Sequence, residues 1–175
     1  KYVSFDNYQS AGYEITEKIC RELKFPKEAA SIVTAIVKAH RIPARLFQLE
    51  DHVELNKSIY KFFLEKEKYV TYILMAAFCD NYAERLIYDP NNEKVKFKQF
   101  IERLFRLFAE YNNIIKNSWV NGDYILENTN IRGKELGLVI EEVNRLIFYG
   151  SIHSKVEAQK YIISKYGSDK NENIY

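Results

Sequence analysis

Gly122–Ile163 reads GDYILENTNIRGKELGLVIEEVNRLIFYGSIHSKVEAQKYII, and this stretch decides the fold class. It holds four of the six glycines: Gly122, Gly133, Gly137 and Gly150. Leu136, Val139, Ile140, Val143 and Ile147 recur at three- and four-residue spacing, the period of one helix face, so a helix is predicted over 134–149. Gly150 is placed to end it, because glycine enters the left-handed backbone that closes a helix. Ser154-Lys155-Val156-Glu157 has the spacing of a capping box and starts another helix. No run here alternates with the two-residue period of a strand.

Working outward, the same period recurs. A helix is predicted over 11–23, with Ile15, Ile19 and Leu23 on one face and Gly12 and Cys20 beside them. A second opens at Pro26, carries Ala29, Val33, Ile36, Val37 and His40, and stops before Pro43, whose ring disfavours helix at the residue before it. The spacing predicts three more, over 54–66, 69–88 and 93–117. Tyr69–Cys79 is apolar nearly all round, the pattern of a buried central helix. Residues 43–53 and 119–132 read as connectors, and Asp89-Pro90-Asn91-Asn92 as a turn. The expected fold is all-α, about seven helices in an irregular bundle. It divides into two small lobes, 1–117 and 118–167, with a polar disordered tail at 168–175.

The chain has 175 residues and 47% apolar content, enough to bury a core without cross-links. Its net charge of +2 does not by itself mark a polyanion binder, so basic residues must cluster to matter. Cys20 and Cys79 form neither a disulfide framework nor a zinc spacing, and both sit in apolar runs, where small core residues are expected. The mainly apolar run Val70–Cys79 is too short to span a bilayer. No signal peptide is expected, and a reducing cytoplasm is the expected location. A first residue of Lys rather than Met suggests an excised fragment.

Two regions resemble the helical C-terminal part of the class II tRNA nucleotidyltransferase and bacterial poly(A) polymerase family. In the first, Gly12-Tyr13-Glu14-Ile15-Thr16-Glu17-Lys18-Ile19-Cys20-Arg21-Glu22-Leu23 resembles a G-x-E-x-A-x-x-I-x-x-x-L helix, with Thr16 in the Ala place. Ile36-Val37-Lys38-Ala39-His40-Arg41-Ile42-Pro43 resembles I-V-x-x-H-x-x-P. Leu74–Arg85 resembles L-x-x-A-x-x-D-x-x-A-R, with Glu84 inserted before Arg85. In the second region, Gly133, Gly137, Ile140, Gly150 and Ile152 fall at the family's spacing, followed by Glu157-Ala158. Ile125 takes the Leu place after Gly122. The match covers about residues 10–163.

The resemblance implies an RNA-binding, non-catalytic module that grips the tRNA acceptor arm. It implies that nucleotide transfer from CTP and ATP, using Mg²⁺, belongs to a head absent from this chain. No cofactor is expected in the fragment itself. None of the six Asp has another Asp two residues away, so the family's metal-binding pair is missing. His40, His52 and His153 are not followed by Asp, and Asn7-Tyr8-Gln9 stands where members often show Gly-His-Glu. No catalytic or metal-ligating residue is therefore assigned. His40 and Asp80 are a remnant of an HD-type site at most, read first as hydrogen-bonded helix-end groups.

If the helices pack as in the family, Arg41, Arg45, Lys57, Lys61 and Arg85 form a basic strip for phosphates, against the plainer reading of a solvated charged face. Arg132 and Lys134 flank Gly133, where free N–H groups at a helix start favour an anion. The alternative there is glycine chosen for close packing. Tyr60, Tyr82, Trp119 and Tyr124 are read as packing residues before stacking ones. A fragment of an HD-type metal phosphohydrolase acting on nucleotides is the second reading, and a plain protein-interaction domain the third.

Overall fold

Apolar residues spaced three and four apart are realised as helix throughout the described residues. The computed structural model describes residues 6–84, 89 and 91–167. Among them lie nine α-helices: α1 (Asp6–Glu22), α2 (Lys27–Ala39), α3 (Ile42–Phe47), α4 (His52–Lys66), α5 (Val70–Glu84), α6 (Glu93–Lys116), α7 (Gly122–Asn128), α8 (Lys134–Phe148) and α9 (Lys155–Tyr166). The protein is all-α. The chain forms two compact units, Lys1–Phe108 and Ala109–Tyr175, and passes from one to the other within α6. The polar tail at 168–175 lies outside the described residues.

The first unit is built on α5. Val70, Ile73, Leu74 and Ala77 are buried on one side of it, and α2, α3 and α4 pack there. α4 contributes Leu55, Ile59, Phe62 and Phe63, and α6 contributes Phe97, Phe100, Ile101 and Leu104. Each such side chain, fully buried, stabilises by roughly 1.5–3 kcal/mol. Phe47 of α3 sits 5.4 Å, ring centre to ring centre, from both Phe97 and Phe100. Asp51 starts α4 by accepting the Val53 and Glu54 N–H groups at 2.7 and 2.9 Å. These two bonds hold its carboxyl below the usual range.

Four expectations need correction in this unit. Residues 42–47 are helical rather than irregular. Proline breaks a helix from its interior, but in the first turn its missing N–H has no partner to lose, so Pro43 opens α3. On α1, Ile15, Ile19 and Leu23 are exposed, while Cys20 is buried and Gly12 and Thr16 are partly so. The helix meets α2 through its smaller residues, which allow close approach. A Cβ at Gly12 would touch Val37 at 3.5 Å. On α5 only one side is covered. Met75 and Cys79 are exposed and, with Phe78, Ile101 and Phe105, line an open apolar groove of about 370 Å³. Cys79 is thus not a core residue.

The second unit closes around Val120, Ile125, Val139, Val143, Ile152, Ala158 and Ile162. Leu136, Ile140 and Ile147 pack against this cluster, as the face predicted for 134–149 requires. α7 was not visible in the sequence, because a seven-residue helix with one buried side chain, Ile125, shows no period. Asn121 caps it by accepting the Tyr124 N–H at 3.0 Å. α8 ends as predicted. Gly150 has φ +68°, its N–H reaches Ile147 O, and the Ser151 N–H reaches Leu146 O, both at 2.9 Å. That pair of bonds turns the chain so that Ile152 enters the core. Ser154 caps α9 by accepting the Glu157 N–H, but the Glu157 carboxylate accepts from His153 N–H, one residue before the cap.

α8 and α9 are also joined by a polar clamp. The Tyr161 hydroxyl and Lys165 Nζ donate to Glu142 Oε1, at 2.6 and 2.5 Å, and the Tyr166 hydroxyl donates to Oε2. Burial pushes the Glu142 carboxyl up, but the hydrogen bonds from Lys165, Tyr161 and Tyr166 outweigh it and lower its pKa from 4.5 to about 2. A depressed carboxyl stabilises the fold above its unfolded pKa and loses that contribution as the pH falls toward its folded pKa. The unit should therefore lose on the order of 2 kcal/mol between pH 4.5 and 2, a value discounted for the solvent around the clamp. Glu142→Gln should remove that acid dependence, as read by circular dichroism during acid titration.

The backbone makes three further expectations. Lys24 closes α1 with φ +54°, a conformation that favours glycine, so Lys24→Gly should stabilise by about 1 kcal/mol. Gly150→Ala should cost about 1–2 kcal/mol for the same reason, since a Cβ there meets only His153 at 3.9 Å. Gly137→Ala should gain about 0.5–1 kcal/mol, because Gly137 is helical and a Cβ there meets nothing within 4 Å. Urea titrations measure all three, and a loss of stability for Gly137→Ala would contradict the open surroundings described.

Candidate functional site

The break between α2 and α3 places four of the residues singled out in the sequence around one cleft. His40 ends α2, and Arg41 is the residue from which α3 starts. Arg45 follows one turn later. The last turns of α5, which packs on α3, supply Asp80, Asn81 and Glu84. Together with Gln48 they line a cleft of about 590 Å³. Residues four apart on a helix sit on one face, with Cβ atoms roughly 5–6 Å apart. The cleft therefore has a pair of arginines from α3 and a pair of carboxylates from α5.

His40 is partly buried, and its Nδ1 lies 3.1 Å from Ile36 O. A carbonyl only accepts, so Nδ1 donates in this bond. Asn81 is buried, whereas Arg41, Arg45, Asp80 and Glu84 are exposed. Arg41, Arg45 and Asn81 each already hold an interaction. Its chemistry is mixed: guanidinium donors for an anion, and carboxylate acceptors for hydroxyl or N–H groups. Among the described residues no group of three or more His, Cys, Asp or Glu is placed to hold a metal ion.

The remaining basic candidates lie elsewhere. Lys57 and Lys61 are exposed on α4 and do not line the cleft, and Lys61 lies 3.8 Å from Glu65. Arg85 lies outside the described residues. Arg132 and Lys134 belong to the second unit. The Arg132 guanidinium donates to Thr129 O at 2.9 Å and Ile131 O at 2.7 Å, tying down the loop between α7 and α8. Lys134 is exposed at the start of α8. Gly133 begins α8 with φ +63°, and a Cβ at Gly133 or Gly137 meets nothing within 4 Å. Close packing is therefore not the reason for either glycine; at Gly133 the reason is backbone conformation. Tyr60 is buried, Trp119 and Tyr124 pack on the second core, and Tyr82 is exposed.

Sequence reasoning missed Gln48, Asn81 and Glu84 as cleft residues. The available signal was the matching four-residue spacing of Arg41 with Arg45 and of Asp80 with Glu84. No protein-family model, curated protein or solved structure matches the chain. Among the described residues no helix is long and apolar enough to cross a membrane.

The loop geometry separates the roles of the two basic residues beside Gly133. Arg132→Ala should cost about 1 kcal/mol through its two lost carbonyl bonds, whereas Lys134→Ala should stay within about 0.5 kcal/mol. Urea unfolding of the two variants compares them directly.

Proposed function

We propose that this chain is an RNA-binding helical module of the kind found in the C-terminal part of tRNA nucleotidyltransferases and bacterial poly(A) polymerases. The observation that carries the reading is the convergence of two quoted motifs. His40 and Arg41 of the first and Ala77, Asp80, Asn81 and Glu84 of the second, far apart in sequence, meet in one cleft, and Arg45, two residues beyond the first motif, lines it too. Guanidinium groups bind phosphate through paired donors and displace condensed counterions from the nucleic acid. The ligand in this reading is the acceptor arm of a tRNA, held chiefly by backbone and shape. Lys57 and Lys61, exposed on α4, are further cations of the same unit. Arg132 serves the α7–α8 loop instead, and Lys134 adds a cation in the second unit.

In this reading the chain does no chemistry alone. Nucleotide transfer from CTP or ATP with Mg²⁺ belongs to the catalytic head of the parent enzyme, and the setting is the cytoplasm. A metal phosphohydrolase is the weaker reading, because the cleft brings only His40, Asp80 and Glu84 near two arginines and no metal-holding group forms among the described residues.

The test is fluorescence anisotropy with a labelled tRNA at about 50 and 200 mM salt. Binding should weaken steeply with salt, and Arg41→Ala/Arg45→Ala should lower the slope of log K against log salt by about 2, one for each phosphate contact. Absence of binding at low salt would remove the proposal. An unchanged slope in the double variant would move the contact away from this cleft.

A further inference from the structure

The carboxylates in the cleft pose a problem that phosphate binding does not solve. Asp80 and Glu84 are one turn apart on α5, and both line the same cleft as Arg41 and Arg45. A surface evolved for phosphate alone gains nothing from two carboxylates beside its cations, since they repel the ligand. A ligand that suits all four side chains carries an anion and hydrogen-bond donors within a few ångströms of each other. A neutral donor for acceptors of this kind is a hydroxyl or N–H group, and in the RNA of the proposed reading the donors nearest a phosphate are ribose hydroxyls. A phosphate with hydroxyls on the adjacent sugar is a ribose phosphate. A cleft of about 590 Å³ is of the size that takes a ligand this large.

We infer that the cleft between α3 and α5 is a ribose-phosphate site, in which Arg41 and Arg45 hold phosphate while Asp80 and Glu84 accept from ribose hydroxyls, so that RNA is selected over DNA. This rests on the RNA-binding reading and adds to it the group that is recognised. The 2′-hydroxyl is the feature by which a protein separates the two nucleic acids. A site built to bond a hydroxyl rejects the analogue without it, because its acceptors are left facing an apolar group. The bond from a hydroxyl to a carboxylate is charge-assisted, which strengthens it. The roles divide cleanly. The arginines act on any phosphate backbone, and the carboxylates act only through the sugar. The carboxylates also impose a repulsion that DNA meets without compensation.

The 175-residue chain is titrated with fluorescein-labelled single strands of one sequence as RNA, DNA and 2′-O-methyl RNA, with free CMP as competitor. RNA should bind about tenfold more tightly than DNA or the 2′-O-methyl strand, the worth of one good hydroxyl bond. Asp80→Ala/Glu84→Ala changes two exposed residues and should bring RNA and DNA within about twofold of each other, chiefly by improving DNA binding. Arg41→Ala/Arg45→Ala should weaken both strands equally. Competition by CMP at millimolar concentration would assign the site to a free or terminal nucleotide, and its failure beside strong RNA binding would assign it to the internal chain. Equal binding of RNA and DNA by the unmodified protein would overturn the inference and leave the RNA-binding reading standing. So would a preference for RNA that survives loss of both carboxylates. Binding of neither strand at low salt would overturn the RNA-binding reading itself, and the ribose site with it. The 2′-O-methyl strand tests the same hydroxyl without altering the protein.

Discussion

Burial of one side of α5 is the constraint on which the first unit depends. Val70, Ile73, Leu74 and Ala77 are withdrawn from water there, and α2, α3 and α4 must dock on that side for it to happen. The helix then has no freedom in where its C-terminal turns point. Asp80, Asn81 and Glu84 are delivered to the end of α2 and the length of α3 by the same contact that buries the apolar residues. Packing and site are one geometric event in this unit.

The break at Ile42–Pro43 is the second part of that geometry. A continuous helix through this point would carry Arg41 and Arg45 onward along the α2 axis. Pro43 instead starts a new helix, fully buried at its first turn, and Phe47 at the far end of α3 is fixed by its contacts with Phe97 and Phe100. The two arginines are thereby held on a short element pinned at both ends. Short helices do not persist by their own hydrogen bonding, so α3 depends on this burial.

The second unit solves a different problem. Its core is small, and its last helix is held by polar contacts as well as apolar ones. Glu142 takes three donors from α9, while Ser118 and the buried Asn144 meet at 2.9 Å. Such a clamp stabilises only while its carboxylate is ionised. None of these four α8–α9 residues is marked by periodicity, because Glu142 lies on the edge of the apolar face of α8 and its partners are spread along α9. The exposed stripe Ile15, Ile19 and Leu23 shows the converse error: apolar spacing identifies a helix but does not say which side a neighbour will cover.

What the sequence determined by itself was the helical class, the long helices, the end of α8 at Gly150 and the start of α9 at Ser154. All of these follow from spacing within a few turns and from local backbone preference, which neighbours in the chain are enough to impose. What only the tertiary structure decided was α3 and α7, the exposed side of α5 with Cys79, the Glu142 clamp and the joining of Arg41 and Arg45 to Asp80 and Glu84. Each of these needs two segments remote in the chain to be brought together. Periodicity has no access to that step, because it records how a helix divides its surface and carries no information on what the surface meets.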